Sequence, residues 1–238
     1  MKEFKDLTTP KIASLRGKHG TVHRILTTGG PARSRCRPLQ PYLRRKVRDR
    51  LDELLASGDI VRSKSPYASP ITVVPKGEDD IRICVDYRKL NNQTIKDRWP
   101  VPFLRDFTNE LHGCSIFSKI DLQKAYRQIP LHPQDQEKAA FICPAGLFQP
   151  TTMPFGLTNA CSTFSRFISE VTSGIEHIFV FLDDILIATR TEQEHLTTLR
   201  TLFSKLREFG LVINVDKCEF GKKEIEFLGH LVGLEGIR

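Results

Sequence analysis

The 238-residue sequence predicts an α+β fold in which an antiparallel sheet is backed by helices, and three observations carry that expectation. Two strand-like runs, Ile71 to Lys76 and Ile81 to Leu90, are separated by a Gly-Glu-Asp-Asp segment suited to a hairpin turn. From Ile116 onward the order is strand, helix, hairpin, helix, strands. Within that order, IFVFLDDILIA at 178–188 reads as two buried strands interrupted by two adjacent carboxylates.

Taken in order, residues 1 to 42 are rich in Gly, Pro, Ser, Thr and Arg without a sustained period, and read as an extended arm or linker. Leu43, Val47, Leu51, Leu54 and Leu55 then recur at helical spacing until Gly58, a helix stop. In the second run of the hairpin, Ile81, Ile83, Val85 and Tyr87 alternate with Arg82, Cys84, Asp86 and Arg88, one apolar face and one charged. The charged face is equally that of an ordinary solvated hairpin. Ile116 to Ile120 forms a strand ending at Asp121. Phe164, Phe167, Ile168 and Val171 mark a helix closed by Gly174. Leu196, Leu199, Phe203 and Leu206 mark another before Gly210, and Leu211 to Asn214 and Ile225 to Val232 complete the strand set.

Composition narrows the class. With 39% hydrophobic and 27% charged residues the chain can bury an adequate core. No apolar run approaches the roughly 20 residues needed to span a bilayer, and MKEFKDLTTP lacks a secretion-signal core. An intracellular location without membrane contact is expected. The six scattered cysteines show no zinc-ligand spacing and read as reduced thiols. The net charge of +8 is uneven: residues 1–50 hold 14 Lys/Arg against 3 Asp/Glu, whereas 51–238 hold 22 against 25. The basic excess sits on the N-terminal arm, where a nucleic-acid contact and a solvated tail are both open readings.

The carboxylates need an explanation. Two of them about 4 Å apart repel by roughly 4 kcal/mol at an effective dielectric near 20. Asp-Asp is also a serviceable exposed hairpin turn. Asp121, however, lies 62 positions before Asp183 and likewise ends an apolar strand, so neighbouring strands could bring Asp121, Asp183 and Asp184 to one sheet edge. Hard oxygen ligands completed by substrate phosphates and water suit Mg²⁺. Two such ions would serve an in-line phosphoryl transfer.

From about Leu43 onward the sequence resembles the reverse transcriptases of gypsy-type LTR retrotransposons. SPYASPITVVPK, CVDYRKLNNQT, FSKIDLQKAYRQIPL, MPFGLTNA, FLDDILIA, LVINVDKCEF and EIEFLGHLV resemble successive family blocks in order. The resemblance implies the fingers and palm of a right-hand polymerase over 43–238, the fingers mainly at 43–112 and 130–152, with the thumb lying outside the chain. It implies an RNA-directed DNA polymerase module of a Pol polyprotein that adds dNTPs to a primer on an RNA or DNA template. Thumb, connection and RNase H regions of the same polyprotein are the implied partners.

Residue by residue, the resemblance makes Asp121 and Asp183 metal ligands and Asp184 their less tightly held neighbour, with two Mg²⁺ ions or Mn²⁺ as substitute. Lys124 and Ala125 match positions whose backbone N–H groups meet the triphosphate. Lys76 and Arg82 match fingertip cations that clamp phosphates. Tyr126 resembles the residue that closes the sugar pocket against a 2′-hydroxyl, and Phe155 and Gly156 the segment beneath the nascent base pair. Leu182 matches a residue touching the primer end; Phe227, Leu228, Gly229 and His230 resemble the primer grip, although His230 also reads as a plain surface histidine.

The sequence departs from the family pattern in places. Glu78, Asp79 and Asp80 replace a Lys-Asp-Gly-type fingertip, which should weaken a phosphate clamp unless they face solvent. Cys161-Ser162 stands where Pro-Ala is usual, and Phe181 where tyrosine is commoner. A chain ending just after the primer grip is expected to synthesise weakly, or else to be a truncated or co-opted fragment that binds nucleic acid or a partner without catalysis. An RNA-directed RNA polymerase or a carboxylate-metal nuclease conflicts with Tyr126 and the motif order.

Overall fold

The computed structural model describes residues 2–8, 19–77, 80–100 and 111–238. The longer α-helices among the described residues are α1 (Pro41–Ala56), α2 (Arg88–Gln93), α3 (Ala160–Thr172) and α4 (Glu192–Phe209). The strands are β1 (Ile60–Arg62), β2 (Ser69–Lys76), β3 (Asp80–Val85), β4 (Ile116–Asp121), β5 (Phe141–Cys143) and β6 (Gly146–Pro150). They continue as β7 (Ile178–Phe181), β8 (Asp184–Thr189), β9 (Glu219–Lys222), β10 (Ile225–Phe227), β11 (His230–Gly233) and β12 (Gly236–Ile237). The chain divides into two compact units, one of Met1–Gly20, Arg98–Ala125 and Cys161–Arg238, the other of Thr21–Asp97 and Tyr126–Ala160.

The first unit is built on an antiparallel sheet of order β7-β8-β4-β9. Phe117, Phe179, Leu186 and Ala188 from this sheet are buried with Ile225, Phe227 and Val232 of the small β10-β11-β12 sheet. Each such side chain withdrawn from water contributes about 1.5–3 kcal/mol. Helix α3 buries Phe164, Phe167, Ile168 and Val171, the four positions whose spacing predicts it. Helix α4 begins in a capping box, with Thr191 and Glu194 each satisfying the other's backbone N–H, and ends at Gly210 in the left-handed region (φ 71°).

Helix α4 buries Phe203 and Leu206 as their spacing predicts, but its inward face also takes in residues that the spacing does not mark. Leu196 is exposed, while His195, Thr198, Leu202, Phe203 and Leu206 are buried. Burial of a histidine is tolerated because both ring nitrogens find partners: Ser118 Oγ at 2.6 Å from Nε2 and Thr189 Oγ1 at 2.9 Å from Nδ1. A polar residue with two buried partners thus occupies a position that hydrophobic spacing passes over.

The second unit carries a five-stranded sheet of order β1-β6-β5-β2-β3, with β2 and β5 parallel and the other pairs antiparallel. Helix α1 lays Val47, Leu51 and Leu54 against Ile60, Ile71, Ile81, Phe141 and Phe148. Gly58 (φ 69°) follows its end.

Three expectations change. The strand expected over Ile81 to Leu90 stops at Val85; Arg88–Gln93 is helical, because Tyr87 and Leu90 are buried as one helical turn rather than alternating on a strand. Leu211 to Asn214 meets β4 only through the isolated bridge Leu122↔Ile213, and the sheet edge is filled by β9. The described parts of residues 1–42 fall in both units. Lys2–Thr8 belongs to the first unit, where Phe4 packs edge-on against Phe203 and Arg207 stacks over Phe4 while binding Asp6 through two nitrogens at 2.7 and 2.8 Å. Thr21 onward belongs to the second, where His23 and Ile25 are buried.

Candidate active site

Asp121 is the last residue of β4 and pairs directly with Asp184, the first residue of β8. Asp184 also pairs with Phe181 across the β7–β8 hairpin, so Leu182 and Asp183 form a two-residue turn at its tip. Such turns favour Gly or Asn where φ is positive. Leu182 nevertheless sits at φ 53°. Of the four non-glycine residues with positive φ among the described residues, Lys124 (49°), Leu182 (53°) and Leu228 (53°) are all sequence-derived site positions; His177 is the fourth. Backbone strain of this kind, on the order of 1–3 kcal/mol each, concentrates where function holds it in place.

The electrostatics of the three carboxylates are coupled. Burial raises the pKa of Asp121, Lys217 opposes the rise, and the charge of Asp183 adds to it. Asp184 is raised by burial, opposed by Lys119, and raised further by Asp183 and Asp121. The nearest cation to Asp121 is Lys217, whose Nζ lies 3.8 Å from Oδ2 and whose side chain is 68% exposed. No group of three Asp, Glu, His or Cys side chains among the described residues is gathered to one ligand point. The donor set is all hard carboxylate oxygen, carries excess negative charge and lies at the ends of the two central strands, which fits Mg²⁺ or Mn²⁺.

The remaining first-unit positions fall into two groups. Lys124 is exposed and Ala125 buried directly after β4. Phe227 and His230 pair at the end of the β10–β11 hairpin, with Leu228 and Gly229 (φ 80°) as its turn. Phe227 is fully buried, so it anchors the hairpin from the core side, whereas His230 is exposed.

In the second unit, Lys76 pairs with Asp80 at the end of the β2–β3 hairpin, and its Nζ lies 3.2 Å from Asp80 Oδ2. Glu78 and Asp79, the other two fingertip acids, lie outside the described residues. Arg82 is exposed opposite Val74. Tyr126 is buried and its ring meets that of Phe155 at 4.8 Å, while Phe155 is 60% exposed. Gly156 adopts φ 92°, and a Cβ there would meet Tyr87 at 3.5 Å, an ordinary contact. Its conformation, rather than crowding, requires glycine.

Sequence reasoning missed the residues that hold these pieces. Asn91 donates from Nδ2 to Gly156 O at 2.7 Å and accepts from Thr158 N–H at 3.0 Å, bracketing the Phe155-Gly156 loop. Asn159 accepts from Asp97 N–H at 3.0 Å and donates to Ile95 O at 2.7 Å. The signal was available, since Asn91 and Asn159 lie in the CVDYRKLNNQT and MPFGLTNA blocks.

Comparison with known proteins decides the family. Residues 74–232 match the family described as reverse transcriptase (RNA-dependent DNA polymerase). The chain belongs to the reverse transcriptase family. It is 39% identical over its whole length to the retrovirus-related Pol polyprotein from transposon 297 of Drosophila melanogaster, of which it covers 23%. It is 33% identical over 99% of its length to the Tf2-3 transposon polyprotein of Schizosaccharomyces pombe, covering 18% of that protein. The chain therefore spans about a fifth of the length of these relatives. A foamy viral protease-reverse transcriptase in complex with double-stranded DNA superposes with a TM-score of 0.83 at 25% identity, covering 91% of this chain and 38% of that one. The foamy viral enzyme in complex with an RNA/DNA hybrid gives 0.83 at 26% identity, with 91% and 29% covered. The reverse transcriptase fold here is thus the fingers-and-palm type, α+β with an antiparallel palm sheet.

Proposed function

We propose that this reverse transcriptase domain is an RNA-directed DNA polymerase module of a gypsy-type retrotransposon polyprotein, extending a primer 3′ end with dNTPs on an RNA or DNA template. The observation that carries the reading is the pairing of Asp121 with Asp184 across β4 and β8, with Asp183 on the adjoining turn. Asp121, Asp183 and Asp184 would hold the divalent cations, Mg²⁺ or Mn²⁺. Those ions, when bound, supply activation of the attacking 3′ oxygen and neutralisation of the leaving pyrophosphate.

The chain's own residues have the following parts. Backbone N–H groups at Lys124 and Ala125 receive triphosphate oxygens, so the positive φ of Lys124 matters more than its side chain. Lys76 and Arg82 clamp the phosphates, and Asp80 competes for Lys76 until they arrive. Tyr126, buttressed by Phe155, closes the sugar pocket against a 2′-hydroxyl. Leu182 meets the primer end, and the hairpin turn at Leu228-Gly229 with His230 grips the primer strand, fixed in place by buried Phe227.

The test is extension of an oligo(dT) primer on poly(rA) with Mg²⁺. Activity is expected for the wild type and abolished by Asp183→Asn; undiminished extension by that variant overturns the site assignment. A second reading, a non-catalytic nucleic-acid-binding or partner-binding fragment, draws on the Lys76–Asp80 ion pair at the fingertip. Calorimetry separates the two: Mg²⁺-dependent dNTP binding supports the polymerase and its absence supports the fragment.

A further inference from the structure

One of the family-like blocks of the chain has no part in the roles above: LVINVDKCEF, at 211–220. Its middle folds as a single tight turn, Val215–Lys217, flanked by Asn214 and Cys218. Four groups of that turn converge on one residue. The Asn214 N–H donates to Asp121 O at 2.8 Å, and the Asn214 side chain hydrogen-bonds the Asp121 carboxylate. The Asp121 N–H donates to Cys218 Sγ at 3.4 Å, and the same thiol donates to Asn214 O at 3.2 Å. Lys217 Nζ lies 3.8 Å from Asp121 Oδ2.

The turn is itself tied down. Gln123 N–H donates to Val212 O at 2.9 Å on one side, and Ile213 N–H donates to Leu7 O at 2.9 Å on the other. Asp121 terminates β4, where ladder hydrogen bonds run out and the backbone is free to splay. A terminal residue so placed needs its N–H and C=O satisfied from elsewhere, and the turn satisfies both.

We propose that the 214–218 turn is the positioning device of Asp121, with Cys218 as its pin: the thiol bridges Asp121 N–H and Asn214 O and so fixes where the Asp121 carboxylate points. The inference rests on the reading of Asp121 as a metal ligand. Cys218 and Asn214 touch neither substrate nor reacting atoms in this scheme; they act through Asp121. Outer partners of metal ligands typically account for 10–100-fold in affinity or activity. Serine keeps a donor and an acceptor at this position; valine keeps bulk and loses both.

The experiment measures Mn²⁺ affinity by calorimetry on the folded protein, together with kcat and KM for dTTP on poly(rA)–oligo(dT), for wild type, Cys218→Val, Cys218→Ser and Asn214→Ala. Cys218→Val is expected to weaken Mn²⁺ binding and lower kcat by roughly tenfold or more with KM for dTTP unchanged, and Cys218→Ser to restore most of both. Asn214 is partly exposed on the turn, so Asn214→Ala tests the same device if Cys218→Val does not fold, and should weaken Mn²⁺ binding in the same direction. Wild-type Mn²⁺ affinity and kcat in both Cys218→Val and Asn214→Ala, with Asp183→Asn inactive, overturn the positioning role and leave the polymerase reading standing. Failure of the wild type itself to bind Mn²⁺ overturns that reading, and this inference with it.

Discussion

Replacing Asp184 by Asn should make the protein more stable while removing its chemistry. Asp184 faces Asp121 directly across β4 and β8, and Asp183 is adjacent. Two carboxylates at that separation, about 5 Å, repel by roughly 3 kcal/mol at an effective dielectric of 20 and by about 1 kcal/mol or less in water. Solvent reaches these strand ends, where the Asp121 side chain is 20% exposed, and Lys217 at 3.8 Å offsets part of the charge. The net relief is therefore on the order of 1 kcal/mol, the upper end for like charges opposed on a sheet. For a chain of this size that corresponds to about 2–4 °C in Tm. Both carboxyl groups are raised above their ordinary value of 3.8, so each holds its proton to a higher pH in the folded state than in the unfolded chain. Their contribution to stability is full below the unfolded pKa and is lost as pH rises through the folded one. The advantage of Asp184→Asn should accordingly be present at pH 7.5 in a chelating buffer and shrink towards pH 3.8. Thermal melts followed by circular dichroism at both pH values make the measurement, and added Mg²⁺ should raise the wild-type Tm more than that of the variant. A variant that melts at or below the wild-type temperature at pH 7.5 refutes the electrostatic account.

Other perturbations test separate parts of the scheme. Tyr126→Ala, which removes the ring that meets Phe155 at a tilt, is expected to accept ribonucleotides at least tenfold more readily relative to dNTPs; equal discrimination before and after counts against the gate. Asp80→Ala frees Lys76 from its 3.2 Å partner and should lower KM for dNTPs by roughly twofold without changing kcat, the small effect expected of a solvent-exposed ion pair; a raised KM would show that Asp80 orients Lys76. His23 is buried and desolvation lowers its pKa to about 4, so its contribution is full above the unfolded value of 6.5 and is lost as pH falls from there towards 4. Between pH 7.5 and 5.0 that amounts to about 2 kcal/mol, which His23→Gln should remove from the pH dependence of urea unfolding; the same loss in both proteins would exclude it.

The sequence makes legible what local patterning controls. The α3 face at Phe164, Phe167, Ile168 and Val171 and the strand pair around Asp183-Asp184 are visible because single-element periodicity specifies them. What it hides is non-local. The parallel contact of Ser69 and Pro70 with Phe141 and Ile142 joins segments more than 70 residues apart, and neither short strand β1 nor β5 has enough residues to show a period. Strand β9, Glu-Phe-Gly-Lys, is polar because it is an edge. The first eight residues look like a polar tail, yet Phe4 and Leu7 are isolated apolar residues that become core only once α4 supplies Phe203 and Arg207. The same limit applies at the site: the carboxylates stand out as a charge anomaly, but Asn214 and Cys218 have unremarkable side chains whose meaning depends on where Asp121 ends its strand.

Strain and support at these strand ends have a common origin. Asp121 and Asp183 lie at or beyond the ends of their strands, where ladder hydrogen bonds cease, so the local backbone cannot be held by the sheet alone. At Asp183 the β7–β8 turn does the holding, at the expense of forcing Leu182 to φ 53° where Gly or Asn would be relaxed. A glycine there would relieve the strain but give up both the stiffness of the turn and the side chain proposed to meet the primer. At Asp121 no hairpin follows, because the chain continues through Leu122 towards Lys124, itself at φ 49°. The support has to come from a separate segment, and the 214–218 turn provides it with hydrogen bonds to the N–H, the C=O and the carboxylate of that one residue. Two carboxylates at neighbouring strand ends are thus held by two different devices, one built from local strain and one from distant hydrogen bonds. Substitutions at Leu182 should therefore disturb Asp183 before Asp121, and substitutions at Asn214 or Cys218 the reverse.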